Sequence, residues 1–123
     1  MIRTIADMNF IPIFIYDAKG PKEHFHSSLV YKHFEYDLEK YRDSKISDGV
    51  YIFKFSTINN EQWPGYEINK AIVLYSMDYT ITDLLYELCK TMCEILRKNY
   101  SYDMNIVKFN RINDFEYQIR LDY

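Results

Sequence analysis

Between Thr82 and Asn99 the chain reads TDLLYELCKTMCEILRKN, with apolar side chains returning every three or four positions. On a helix, Leu84, Leu85, Leu88, Cys89, Met92, Cys93, Ile95 and Leu96 fall within about half of the circumference. Glu87, Lys90, Glu94, Arg97 and Lys98 fill the remainder. This predicts an amphipathic helix with a long stripe to bury. Thr82 suits its N-cap, Asp83 the positive end of the helix dipole, and Arg97 with Lys98 the negative end.

The surface that covers such a stripe is sought among segments of period two. VYIFKFST (50–57) is β-branched and aromatic, follows the turn signal Ser47-Asp48-Gly49, and predicts a strand with Tyr51, Phe53 and Phe55 in the core. KAIVLYS (70–76) is apolar throughout, the pattern of a strand buried on both faces. PIFIYD (12–17) reads as a short first strand, with Pro12 where no ladder hydrogen bond is needed. Near the C-terminus, NIVKFNR and FEYQIRLDY predict a hairpin. Its second arm alternates, with Phe115, Tyr117, Ile119 and Leu121 on one face and Glu116, Gln118, Arg120 and Asp122 on the other. A three-residue loop, Ile112-Asn113-Asp114, sets Phe109 against Tyr117 and Val107 against Ile119.

A second amphipathic helix is predicted over 28–43, where Val30, Tyr31, Phe34, Leu38 and Tyr41 share a stripe and Ser27 caps the start. The resulting order is βαββαββ. The expected fold is an α+β two-layer sandwich with a mostly antiparallel sheet, two helices on one face and a C-terminal β-hairpin. Its first six elements follow ferredoxin-like or related order. The 123 residues hold three glycines, three prolines and no repeat or linker, so 1–123 is read as a single domain.

Composition narrows the function classes. A formal charge of −3 and a pI near 5.6 lack the basic footprint of a sequence-independent nucleic-acid binder, so nucleic acid is not an expected partner. No apolar run approaches the roughly 20 residues that span a bilayer, so no membrane is expected. The N-terminal apolar run is broken by Asp7, Asn9 and Pro12 and resembles a strand more than a signal peptide. Cys89 and Cys93 stand one helical turn apart on an apolar arc, which suits reduced thiols; the expected location is the cytoplasm.

One stretch, GPKEHFHSSL (20–29), carries two of the three histidines. His24 and His26, read on an extended segment, could join Cys89 and Cys93 around zinc. The cysteine spacing belongs to a helix face, however, where free cysteine packs as a small hydrophobe. His26-Ser27-Ser28 is half of a paired His-x-Ser motif. The other half is missing, since His33-Phe34-Glu35 puts no hydroxyl in place. Residue 2 is Ile2, so an N-terminal proline amine is absent, and Gly20, Gly49 and Gly65 form no phosphate loop. The reading is solvated histidines, core cysteines and a capping serine, with no metal, cofactor or catalytic residue assigned.

Recognition residues are more plentiful. The chain has 13 tyrosines, a residue that offers rigid area with a polar tip. Leu29 and Tyr36 fall opposite the apolar stripe of the predicted first helix, and Glu35 and Glu39 belong to its acidic flank. Trp63 and Tyr66 belong to the loop region before KAIVLYS. These six form the expected partner surface. The expected function is a small acidic non-catalytic inhibitor that binds another protein, such as an immunity protein against a toxin or a phage-encoded inhibitor of a host defence enzyme. A homodimer is compatible with it. The alternative is a small hydrolase or metal-dependent enzyme using His24 and His26.

Overall fold

The computed structural model describes residues 13–25, 45–59, 66–96 and 105–122. Five strands form one mixed sheet: β1 (Ile13–Phe14), β2 (Gly49–Asn59), β3 (Tyr66–Ser76), β4 (Asn105–Arg111) and β5 (Glu116–Asp122). Their spatial order is β1-β4-β5-β2-β3. One long helix, α1 (Ile81–Leu96), and a 3-10 helix (Ile15–Lys19) complete the described elements, so the architecture is α+β. Three junctions are antiparallel, but β2 runs parallel to β5. The strand pattern alone predicts a mostly antiparallel sheet. The parallel junction makes it mixed, and β1 at an edge does not establish a ferredoxin-like relation. The helix expected over 28–43, with its Ser27 cap, lies outside the described residues.

The α1 stripe is buried as its periodicity requires: Ile81, Leu84, Leu85, Leu88, Cys89, Met92 and Cys93 are all shielded from solvent. Facing it are Tyr51, Phe53 and Phe55 of β2, Ile72 of β3, Ile106 and Phe109 of β4, and Tyr117 and Ile119 of β5. Phe53 stacks on Tyr117 at 5.7 Å and meets Phe109 edge-on at 6.3 Å, while Tyr51 leans on Phe115 at 5.1 Å. Rings crossing three neighbouring strands tie the parallel junction into the core, and such pairs add to the stabilisation from buried area.

Four local expectations change. The strand expected over 12–17 keeps only two residues before the chain winds into the 3-10 helix. Continued as a strand, it would place Asp17 on the same face as Ile13 and Ile15. The 3-10 winding instead brings Ile15 and Ala18, three residues apart, to one buried face. The cap of α1 is Thr80, not Thr82. The Thr80 hydroxyl accepts from the Asp83 N–H (3.1 Å), and the Asp83 carboxylate accepts from the Thr80 N–H (3.0 Å). This is a capping box, and it leaves Thr82 buried in the first turn.

The terminal hairpin forms, with its register moved by two residues. Arg111 opposes Tyr117 and Phe109 opposes Ile119, and the connection runs over 112–115. The Phe115 N–H bonds to the Asn113 side-chain oxygen (2.8 Å) and the Tyr117 hydroxyl to the Asp114 carbonyl (3.1 Å), which fixes the longer turn. An even shift preserves the face, so Tyr117 and Ile119 still point inward. A bulge between Ile106 and Lys108 then turns Ile106 inward as well.

The fourth change decides where a partner could bind. β3 is not buried on both faces. It stands at the sheet edge, paired in unbroken register with β2 from Gly49↔Ser76 to Asn59↔Tyr66. Only its inward residues, such as Ile72, are covered. Gly49 begins this ladder at φ +145°, and a Cβ there would come within 2.8 Å of the Phe115 ring. Glycine is required for both reasons.

Candidate partner surface

Pleating sends alternate residues of β2 and β3 to opposite faces of the sheet. Phe53 and Ile72 are opposed and point toward α1; Val50 opposes Tyr75, and Ile52 opposes Val73, on the side away from it. Of these outward residues Ile52 is half-buried, and the others are open to solvent: Val50 42%, Val73 50% and Tyr75 74%, with Met77 at 80% just beyond the strand end. The outer face of the sheet is thus divided. Across β4 and β5 it presents Lys108, Asn110, Gln118, Arg120 and Asp122, of which only Gln118 is half-buried. Across β2 and β3 it presents a contiguous apolar strip. The border is marked by Lys54, whose ammonium pairs with Glu116 at 3.3 Å.

At the end of this strip the chain makes a tight corner. Asp78 has φ +59°, a conformation that Asp tolerates better than most residues, and its N–H donates to the Asp48 carboxylate at 2.7 Å. Lys45 pairs with the Asp78 carboxylate at 3.0 Å. The corner holds Met77 and Tyr75 beside two acidic groups.

The described part of the histidine-bearing stretch, residues 20–25, packs against the start of α1. Residues 22–25 form a helical turn in which the His24 and Phe25 N–H groups bond to the Pro21 carbonyl at 3.0 and 3.2 Å. The segment is helical rather than extended through Phe25. Phe25 is buried with its ring 5.6 Å from that of Tyr86, whose hydroxyl donates to the Gly20 carbonyl at 3.2 Å. Lys22 forms an ion pair with Asp83. Burial acts to raise the Asp83 carboxyl's pKa, but the Lys22 ammonium and the Thr80 N–H outweigh it and hold it below the ordinary carboxylate value. Gly20, Lys22 and Phe25 therefore anchor this segment on α1. His24 remains exposed, and His26 and His33 lie outside the described residues.

A cleft of about 300 Å³ opens between the 3-10 helix and α1, lined by Ala18, Lys19, Tyr86, Lys90, Cys93 and Glu94. Its size would admit one small molecule. Its thiol is poorly suited to chemistry, because Cys93 donates to the Ile15 carbonyl at 3.3 Å and burial pushes its pKa up to about 11. Burial raises the Cys89 thiol further still. A protonated thiol is a weak nucleophile and metal ligand. Among the described residues no group of three or more His, Cys, Asp and Glu side chains comes together to hold a metal ion.

Of the residues expected at the partner surface, Leu29, Glu35, Tyr36, Glu39 and Trp63 lie outside the described residues. Tyr66 opens β3 opposite Asn59. Val50, Val73, Tyr75 and Met77 are additions that the sequence pattern does not single out. The signal of Val73, Tyr75 and Met77 is present in IVLYSM, but an edge strand with one solvated face and a central strand with two buried faces share that composition. No helix among the described residues is long and apolar enough to cross a membrane. No protein-family model matches the chain, and no curated protein or solved structure does either.

Proposed function

We propose that the chain is a small non-catalytic binding protein that blocks another protein, as an immunity protein blocks a toxin or a phage-encoded inhibitor blocks a defence enzyme. The observation that supports it is the exposed apolar strip of Val50, Val73, Tyr75 and Met77, with half-buried Ile52 between them, on a sheet face that α1 does not cover. Contiguous exposed apolar area bordered by charge marks contact sites, and an aromatic anchor such as Tyr75 contributes most where it is desolvated. Leu29, Tyr36, Trp63, Tyr66, Glu35 and Glu39 extend this proposal to the predicted first helix and the loop region ahead of KAIVLYS. Buried reduced thiols suit a reducing compartment, and we place the protein in the cytoplasm. With the helix predicted over 28–43 the chain has the βαββαββ order of ferredoxin-like and related sandwiches.

The test is co-purification from the native host. Wild type should retain a stoichiometric partner that Tyr75→Ala loses by about tenfold or more in affinity at an unchanged melting temperature. Retention by Tyr75→Ala, coupled with loss in His24→Ala, would move the function to the alternative enzyme site.

A further inference from the structure

We propose that β3 pairs edge to edge with β3 of a second copy of this chain, in an antiparallel register centred on Val73. The first ground is the edge itself. β3 runs for eleven residues at the border of the sheet, and no described strand pairs with its outer side. Exposed edges are ordinarily blunted by proline, a bulge or charge along the strand. β3 has no proline, keeps an unbroken register along β2, and between Asn69 and Ser76 carries Lys70 as its single charge. Among the described residues this row of backbone donors and acceptors has no strand partner, and a second extended chain would satisfy it.

Charge and size choose the occupant and the register. Opposed residues of an antiparallel pair share a face, so a two-fold that keeps both helix layers on one side must centre on a residue. Centring on Lys70 sets two ammonium groups directly opposite, and centring on Ala71 leaves them near neighbours. Centring on Val73 moves each Lys70 opposite the copy's Ser76. The Ser76 hydroxyl is buried without a hydrogen-bond partner among the described residues. Beyond it lie Asp48 and Asp78 with Lys45, a corner carrying one net negative charge. Lys70 therefore meets complementary charge at both ends of the interface. On the helix side Ile72 faces the copy's Leu74, which continues the apolar core. On the outer side Ala71 faces the copy's Tyr75, small against large, and Val73 faces itself. The pairing joins two sheets into one of ten strands and doubles the apolar strip.

Sedimentation equilibrium tests this independently of any other partner. Wild type should show twice 15.0 kDa at micromolar concentration. Val73→Lys and Val73→Glu should each sediment as a monomer that melts like wild type diluted below its dimerisation range, since Val73 is half exposed, and mixing them should restore the dimeric mass. If these variants unfold, Val73→Cys takes their place. Mild oxidation should link it to itself through the axis while leaving Val50→Cys unlinked, the native thiols being buried. A monomeric wild type, a dimer that survives both charge variants, or equal cross-linking of Val50→Cys overturns the proposal. So does a wild-type mass that doubles only when a different protein is added.

Discussion

β2 and β3 carry apolar side chains on both faces, and the two faces have opposite fates. Toward α1, Tyr51, Phe53, Phe55 and Ile72 are all at most 3% exposed; away from it, Val73 and Tyr75 are at 50% and 74%. Composition does not separate the two sets. Pleat parity assigns each side chain to a face, and the position of α1 decides which face loses water. The buried set stabilises the fold, and the exposed set is available to stabilise a complex.

The widest separation between the faces should appear on truncation. Phe53→Ala removes a ring that touches Phe109 and Tyr117 and should cost about 3–5 kcal/mol in denaturant unfolding. Val73→Ser on the outer face should stay within about 0.5 kcal/mol when both proteins are compared at concentrations where they are monomeric. Equal losses would show that something covers the outer face in the monomer. Gly49→Ala comes next, at about 1–3 kcal/mol, because φ +145° and the Phe115 ring both oppose a Cβ where the ladder of β2 begins. A destabilisation relieved by Phe115→Ala would identify the close approach as the main cause; no relief would identify the backbone.

Smaller effects sharpen the helix side. Thr80→Ala should cost about 1 kcal/mol by opening the capping box, whereas Thr82→Val should leave the box closed. Asp83 gives a pH signature. Its carboxyl is held below its ordinary value of 3.8, so its contribution is complete above that value and is lost as pH falls through the lowered one. The Lys22 ammonium is raised above 10.5, chiefly by its hydrogen bond to Asp83, so its contribution is complete below 10.5 and is lost as pH rises through the raised value. Asp83→Asn should flatten the acid limb of stability against pH, and Tyr75→Ala should leave it unaltered.

Much of the fold is legible in local sequence pattern. The stripe of α1, the inward set Tyr51, Phe53 and Phe55, the alternation of Tyr117 and Ile119, and two buried thiols on one helix face all follow from local periodicity. The exposed apolar strip is not legible in the same way. KAIVLYS reads as apolar whether it lies at the centre of a sheet or at its edge, and only its neighbours distinguish these. Thr80 and Thr82 are both sound caps, and the Asp83 side chain selects between them by reaching back to the Thr80 N–H.

By itself the sequence determined which side chains share a face, because helix and strand periods are properties of the local backbone. It also determined that glycine stands at the start of the ladder of β2, at Gly49, whereas the cap of α1 was settled at Thr80 by the Asp83 side chain. Tertiary structure alone decided which strands are neighbours: β5 lies parallel to β2 through Ile52↔Glu116 to Lys54↔Gln118, and β3 is left at the edge. Those contacts join residues more than sixty positions apart, where no local preference reaches. They are settled by the collective burial of Phe53, Tyr117, Phe109 and the α1 stripe in one close-packed layer. The same packing left Val50, Val73 and Tyr75 facing water.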